Sequence, residues 1–425
     1  MQNEKNKKIL LFCLILLSIL PTFILAGTPK LTWLYISTFS GFIGTVLILW
    51  QYILGTRSVS GLYFNELPWV TRLHVLFGVW GSLLIFAHPV AATILYAKSW
   101  TYSFALNFSG GLETSVSYGR IALFFILTIW LTSVLLRRFL SYRLWKYIHY
   151  LAYISLPFVF IHAPSIGTSF INHAVFAYWY SLAAVFGVFT VVRLRMFVSL
   201  GRTKYTVIKL TKLNGHVVLL ELSPQNKKLR IKPGQYVYLR RSITSESHPF
   251  SVAHYSKKSG NIFVAFKVFG RYTGELTRVK QGATMYIDGP YGTFTQVANL
   301  NSGETIVFIA GGIGITPFLM HLFNPKLKNK QLFYANRQRE NANFITSLRR
   351  ELGQNLHEFY SEEKSSKAGS RADRITASKI KENVPDWQSA QYIICGPSQM
   401  MKILRDDLKN QGVKASNIHI EEFSF

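Results

Sequence analysis

Residues 69–96 read WVTRLHVLFGVWGSLLIFAHPVAATILY. Beyond Arg72 this run carries no Lys, Arg, Asp or Glu, and its length suits a membrane-spanning helix. Two histidines, His74 and His88, nonetheless sit inside it. Polar side chains are costly in a bilayer and need a reason to be there. Their spacing of fourteen is close to four helical turns, so both rings fall on one side, roughly 21 Å apart along the axis.

A second apolar stretch repeats the arrangement, with His149 in WKYIH (145–149) and His162 in FIH (160–162), thirteen apart. Two helices, each with one histidine toward either membrane face, can hold two stacked haems by paired axial imidazoles. A lone membrane histidine is more often a hydrogen-bonded bundle residue. Four in two pairs at matching spacing favour ligation. Thirteen residues on a straight helix leave His149 and His162 about 140° apart. Pro157 lies between them, and a kink or rotation at that proline is the expected correction.

Working outward, the chain has 425 residues, room for two or three domains. It is 49% hydrophobic and only 16% charged, low for a soluble protein, and the apolar residues crowd the first half. The net charge of +27 is scattered and carries no nucleic-acid motif, so a membrane surface is the expected partner and nucleic acid is not. Cys13 lies in an apolar run and Cys395 near the C-terminus, which indicates no disulfide framework.

Six apolar spans are read at about 9–26, 31–54, 70–96, 118–136, 145–164 and 171–192. The first, after Lys5, Lys7 and Lys8, also reads as a signal peptide ending near Leu25-Ala26-Gly27, whose cleavage would leave the remaining orientation unchanged. With the N-terminus inside, inner segments hold Lys5, Lys7, Lys8, Arg57, Arg72, Arg137, Arg138, Arg143, Lys146, Arg193, Arg195, Arg202 and Lys204. Outer segments hold Lys30, Lys98 and Arg120. This bias puts the C-terminal half in the cytoplasm of a multi-pass cell-membrane protein. It pairs His74 with His149 near the inner face and His88 with His162 near the outer face.

Composition shifts after Leu200. Alternating runs at Val217–Leu222 and Asn261–Val268, with turn signals such as Lys232-Pro233-Gly234, predict a small antiparallel barrel up to about residue 298. A buried-strand run at Thr305–Ala310 then leads into Gly311-Gly312-Ile313-Gly314-Ile315-Thr316-Pro317 and a helix. Strands near 331–335, 355–360, 391–394 and 416–420 alternate with helical stretches, the rhythm of a parallel α/β domain. Gly311, Gly312 and Gly314 let the backbone approach a ligand, and the helix start favours phosphate. Ser251 can bond the edge of a flat cofactor, and Arg271 and Thr273 with nearby amides can hold a pyrophosphate. Each of these alone also reads as a structural turn.

His-Pro-Phe-Ser (248–251), Gly-x-x-Thr (270–273), Asp-Gly-Pro-Tyr-Gly (288–292), Gly-Gly-Ile-Gly-Ile-Thr-Pro (311–317) and Cys-Gly-Pro (395–397) occur in that order. They resemble the ferredoxin–NADP reductase superfamily. Preceded by six spans with histidine pairs, the whole chain resembles the transmembrane NADPH oxidase and ferric reductase family, and within it the bacterial NADPH oxidases. The run YIICGPSQMM (392–401) and the ending EFSF (422–425) fit that likeness.

The resemblance implies a multidomain membrane protein. A six-helix transmembrane haem domain (1–200) would precede an antiparallel β-barrel FAD domain (201–298) and an α/β parallel-sheet NAD(P)H domain (299–425). FAD would lie across His248, Pro249, Phe250 and Ser251, with its pyrophosphate near Gly270, Arg271 and Thr273. The nicotinamide cofactor would bind at Gly311, Gly312, Gly314, Thr316 and Pro317 and at Cys395, Gly396 and Pro397. Arg337, with Arg339 assisting, stands where a 2′-phosphate is often read, favouring NADPH over NADH. Cys395 and Phe423 are the expected catalytic contacts. Phe423 is preferred to Phe425 as the aromatic lid on the flavin, because Glu422-Phe423 matches the usual acidic-aromatic pair. Two haems b would be held by His74, His88, His149 and His162.

The expected activity is electron transfer from cytoplasmic NADPH through FAD and the haems to oxygen outside, giving superoxide. A ferric or cupric reductase is the alternative within the class, and a membrane-anchored flavin reductase or haem-binding transport protein lies outside it. The outer loop 97–117 holds only Lys98 and Glu113 as charges and no acidic cluster for a metal substrate, which favours oxygen. No Asp-x-Asp-x-Asp-Gly calcium loop and no long regulatory tail occur, so the protein is expected to be active without an obligatory protein partner.

Overall fold

The computed structural model describes residues 2–25, 32–56, 63–64, 67–96, 100–198, 202–214, 216–243, 245–292, 303–362 and 374–420. The chain divides into two compact units, Met1–Met196 and Phe197–Phe425.

The first unit is helical. Its elements are α1 (Gln2–Leu25), α2 (Trp33–Leu54), α3 (Leu67–Tyr96), α4 (Gly111–Trp130), α5 (Tyr142–His149), α6 (Ala152–His162) and α7 (His173–Phe197). Helix α4 runs on into a π turn at Leu131–Leu135. They make six spans long and apolar enough to cross a membrane, α5 and α6 together forming one. The fourth span begins earlier than the hydropathy reading, at Gly111, because its first turns are polar. Ser115 and Ser117 there are buried, and the Ser117 hydroxyl accepts from Asn107 N at 2.8 Å and donates to Asn107 O at 2.7 Å.

Small residues let α2 and α3 approach closely, as membrane helices require where burial of apolar surface gives no drive. A Cβ on Gly44 would sit 3.0 Å from Ile85, and one on Gly81 3.0 Å from Ile48. Apolar residues at helical spacing on α2 (Phe42, Val46, Leu49) and α7 (Val175, Trp179, Leu182, Phe186) meet Leu156 and Phe160 of α6 in one core.

The fifth span is broken, but ahead of Pro157, where the sequence reading expected the kink. Helix α5 stops at His149 and α6 starts at Ala152, whereas Pro157 lies inside α6. The junction is tightened by i→i+3 bonds, Tyr150 N to Tyr147 O at 3.1 Å and Leu151 N to Ile148 O at 3.0 Å. Each residue wound this way advances about 120° instead of 100°, which recovers part of the angular deficit.

The second unit begins with a closed barrel of β1 (Thr203–Lys212), β2 (Val217–Pro224), β3 (Tyr236–Arg240), β4 (His248–Tyr255), β5 (Ile262–Lys267) and β6 (Thr284–Tyr291), in the order β1-β2-β5-β4-β3-β6. Every pairing is antiparallel. Alternation places Tyr205 and Val207 of β1, Val218, Leu220 and Leu222 of β2, and Met285 and Ile287 of β6 inside. A short helix, α8 (Gly270–Leu276), follows β5.

A parallel sheet follows, built from β7 (Ile306–Gly311), β8 (Lys330–Asn336), β9 (Leu356–Tyr360), β10 (Gln391–Cys395) and β11 (Ile418–Ile420), in the order β11-β10-β7-β8-β9. Its helices are α9 (Leu319–Leu322), α10 (Ile345–Leu352), α11 (Ala377–Asn383) and α12 (Ser398–Asn410). The strand order reverses between β7 and β10. In sheets of this kind ligands bind outside the carboxyl ends of the strands at that point.

Candidate functional site

The four membrane histidines come together in two pairs. The rings of His74 (α3) and His149 (α5) have centres 6.1 Å apart. Those of His88 (α3) and His162 (α6) are 6.3 Å apart. A metal bound at about 2 Å by Nε2 of both rings would require ring centres roughly 6 Å apart.

The other ring nitrogens are engaged in a way that suits this. Nδ1 of His74 lies 2.7 Å from Gln51 O, Nδ1 of His88 2.8 Å from Ser37 O, and Nδ1 of His162 2.8 Å from Ser115 O. A carbonyl can only accept, so each Nδ1 carries the proton and each Nε2 keeps its lone pair. His149 differs, with Nδ1 3.4 Å from the hydroxyl of Ser133. Among the described residues no group of three or more His, Cys, Asp or Glu gathers that could hold a bare metal ion. Two imidazoles per site therefore fit a metal whose remaining ligands come with a planar macrocycle.

Glycines make room for the rings. A Cβ on Gly41 would lie 3.0 Å from His88, and one on Gly119 2.4 Å from His162. On Gly55 it would meet both His74, at 3.0 Å, and Arg193, at 2.8 Å. Arg193 of α7 is held by Thr56 Oγ1 (2.6 Å), the Tyr153 hydroxyl (2.6 Å) and Tyr52 O (3.0 Å), all neutral groups. Its guanidinium also lies over the Tyr52 ring, 4.5 Å from the centroid. A fixed cation thus stands beside the His74 side of the pair.

In the barrel, His248, Pro249, Phe250 and Ser251 form the start of β4, with Ser251 buried. His248 stacks on Tyr272 at 4.0 Å, and Phe250 stacks on the same ring at 6.2 Å. Gly270 opens α8 at φ +77°, a conformation that glycine reaches without strain. The Thr273 hydroxyl accepts from Phe269 N (2.7 Å) and donates to Phe269 O (2.6 Å), so it braces the turn of its own helix. Arg271 reaches Glu246 at 3.5 Å. The sequence reading missed Tyr272, the ring that aligns His248 and Phe250; no motif letter marks it.

At the sheet's reversal point, Gly311–Pro317 and Cys395–Pro397 meet. Gly311 ends β7 and the turn after it is a 3-10 segment, Gly312–Phe318, leading to the four-residue α9 rather than to a regular helix. Gly312 has φ +55°. The glycines bring two loops into contact: a Cβ on Gly314 would lie 2.5 Å from Cys395 O, and one on Gly396 3.0 Å from Gly311 Cα. Thr316 is buried and donates to Ile313 O at 2.9 Å. Cys395 is buried too. Arg337 follows β8 with its side chain 79% exposed, 3.6 Å from Glu362, a surface pair worth little by itself. Arg339 lies over the Tyr360 ring at 5.0 Å. Phe423 and Phe425 lie outside the described residues.

A buried histidine that no motif marked, His321 of α9, joins the two parts of this unit. It donates a ring N–H to Pro233 O of the barrel, while its Nε2 has no hydrogen-bond partner. Burial pushes its pKa down to about 4. The folded value is thus below the ordinary 6.5, and the unfolded chain binds more protons between the two. Stability from this group is present above pH 6.5 and is lost as pH falls toward 4, by up to about 3 kcal/mol. Replacing His321 by Leu should flatten the fall in melting temperature of the reductase unit between pH 6.5 and 4.5. An unchanged slope in that variant would show that other groups cause it.

Residues 40–160 match the ferric reductase like transmembrane component, 202–295 an FAD-binding domain and 308–406 the oxidoreductase NAD-binding domain. The chain is a multi-pass membrane oxidoreductase with FAD- and NAD-binding reductase domains. It joins a transmembrane component like that of ferric reductases to both reductase domains. It is 25% identical over 319 residues to a probable cell surface ferric reductase of Aspergillus oryzae, covering 67% of this chain and 40% of that protein's length. It is 27% identical over 212 residues to the gamma subunit of sulfhydrogenase 1 from Pyrococcus furiosus, covering 46% of this chain and 68% of that one. Among solved structures it is similar to a ferredoxin NADP+ reductase from Neisseria gonorrhoeae, with a TM-score of 0.44 and 18% identity over 52% of this chain and 98% of that chain.

Proposed function

We propose that this protein carries electrons from cytoplasmic NADPH, through FAD and two haems b, to oxygen outside the membrane, producing superoxide. The observation that carries this is the two imidazole pairs, 6.1 and 6.3 Å between ring centres, in one transmembrane unit. Bound flavin takes up a hydride and passes its electrons on singly, and haem carries one at a time.

The chain's own residues do the rest. His74 and His149 would hold the inner haem, His88 and His162 the outer, with orientation set by the Lys and Arg bias toward the inner segments. Gln51, Ser37 and Ser115 fix through their carbonyls the tautomer that binds metal. Gly311–Pro317 and Cys395–Pro397 line the crevice where the nicotinamide cofactor would lie, and His248–Ser251 with Tyr272 form the wall for the flavin. His88 and His162 would both be committed to holding the outer haem, which leaves neither ring to bind the acceptor. Phe423 would cover the flavin where the nicotinamide must land. No protein partner is required by this scheme.

Reduction of extracellular ferric iron is the second reading, favoured by the 25% identity to a probable cell surface ferric reductase. A visible spectrum of the purified protein comes first: a Soret band plus flavin supports the transmembrane path, and flavin alone rejects it. NADPH-driven reduction of cytochrome c should then be suppressed by superoxide dismutase. Dismutase-insensitive reduction together with faster anaerobic ferric reduction would favour the metal.

Arg337 gives a separate test of nucleotide choice. Losing a charge-assisted contact to a 2′-phosphate is worth about 1.5–3 kcal/mol. Arg337→Ala should therefore raise KM for NADPH roughly tenfold to a hundredfold relative to KM for NADH. Equal rises for both nucleotides would show that Arg337 does not read the phosphate.

A further inference from the structure

Three of the four membrane histidines give Nδ1 to a backbone carbonyl; the fourth does not. His149 faces the hydroxyl of Ser133 at 3.4 Å, long for a hydrogen bond. The same oxygen accepts the indole N–H of Trp145 at 3.1 Å. Trp145 lies one turn before His149 on α5 and packs on its ring, 5.1 Å between centres.

Ser133 is delivered to this place by the π turn Leu131–Leu135, closed by the bond from Leu136 N to Leu131 O at 2.9 Å. Single π turns often mark functional positions. The neighbouring hydroxyl, Thr132, is instead satisfied locally by Thr128 O at 2.7 Å.

The chemistry of the two kinds of partner differs. A carbonyl imposes the tautomer with a free Nε2 lone pair. A hydroxyl can accept from Nδ1–H or donate to bare Nδ1, and donation would place the proton on Nε2, where a metal must bind. With one lone pair already taken by Trp145, Ser133 holds the ligating tautomer of His149 only weakly. A weaker acceptor on Nδ1 also leaves the imidazole a poorer electron donor.

We infer that Ser133 is the positioning residue for His149, and that this single hydroxyl makes His149 the exchangeable one of the four ligands. The inference rests on the bis-histidine reading above, and the experiment separates the two. Purified holoprotein in detergent is reduced with dithionite and mixed with carbon monoxide, which binds only where an axial ligand leaves. Absence of a Soret band in the wild type would sink the haem reading itself.

With haem present, carbon monoxide should reach one of the two haems and no more. Ser133→Ala should speed that phase about tenfold and raise one haem midpoint potential while leaving the other in place. Ser133→Thr, which keeps a hydroxyl, should restore both values. Thr132→Val is the control. It removes the neighbouring hydroxyl of the same π turn, which is spent on Thr128 O at 2.7 Å, so it should change neither value. In His88→Ala, which keeps only the inner pair, the carbon monoxide phase should remain.

A merely structural Ser133 would lower haem content or melting temperature without a selective shift in potential. Should Ser133→Ala fail to accumulate, Trp145→Phe carries the same test with the sign reversed. It frees a lone pair on Ser133 for His149, so binding should slow and the midpoint should fall. Equal rates and unchanged potentials in the variant that accumulates, or carbon monoxide binding at the His88–His162 pair, would overturn the inference.

Discussion

Gly119→Ala should purify with about half the haem of the wild type and deliver no electrons to the outer acceptor. A Cβ at this position would lie 2.4 Å from Cε1 and Nδ1 of His162 and 2.9 Å from its Nε2. Contacts that short must be relieved by movement. The ring is not free to give way, because Nδ1 is tied to Ser115 O at 2.8 Å. Alanine in a helix is ordinarily favoured over glycine by up to about 1 kcal/mol. Overpacking of a tight site costs about 1–3 kcal/mol, so the clash decides the sign. His88→Ala, which removes the opposite ligand, should give the same half-haem spectrum. In both variants NADPH should still reduce a soluble dye through the flavin, because the second unit is untouched. Full haem content in Gly119→Ala would mean that His162 is not held where the ring pairing puts it.

The second large effect is expected at Gly314. Its added Cβ would meet Cys395 O at 2.5 Å, Cys395 C at 2.8 Å and Gly396 Cα at 3.0 Å. All three are backbone atoms, so no change of rotamer relieves the contact. The loops at the carboxyl ends of β7 and β10 must move apart, and these flank the strand-order reversal where the nicotinamide nucleotide is proposed to bind. Gly314→Ala should lower kcat/KM for the nicotinamide nucleotide about a hundredfold, equivalent to about 2.7 kcal/mol of transition-state binding. FAD and haem contents should stay at wild-type levels. A variant with normal nucleotide kinetics and only a lower melting temperature would assign Gly314 to packing alone.

The half-buried position of Arg193 explains why one basic residue of the inner segments is not simply a topology signal. Its bonds to Thr56, Tyr153 and Tyr52 tie α7 to the loop after α2 and to α6, beside His74. The charge count alone placed it with Arg195 and Arg202 as one more residue facing the cytoplasm. Three-dimensional neighbours set it apart.

Much of this protein could be read in its letters because the relevant physics is local or periodic. Twenty-odd uncharged residues must become a spanning helix, since a bilayer leaves no other way to satisfy the backbone. Histidines fourteen apart on such a helix share a face. Alternating apolar residues dictate strands, and Gly311-Gly312-Ile313-Gly314 between a strand run and Thr316-Pro317 dictates a tight turn. What the sequence could not decide lies in contacts between distant residues and in backbone groups that have no letter of their own. The break at Tyr150–Leu151, not Pro157, separates the helices bearing His149 and His162, because the i→i+3 bonds there wind the chain differently from an ideal helix. The acceptors that orient His74, His88 and His162 are carbonyls of Gln51, Ser37 and Ser115, which any residue would supply and only helix packing selects. Gly314 read as room for a ligand, yet its first neighbour is the backbone of Cys395, brought there by the parallel pairing of β7 and β10. Periodicity determined which segments cross the membrane and which form barrel and sheet. The charge bias along the chain already paired His74 with His149 and His88 with His162; tertiary packing alone decided what holds each ring, a carbonyl for three of them and the Ser133 hydroxyl, 3.4 Å away, for His149.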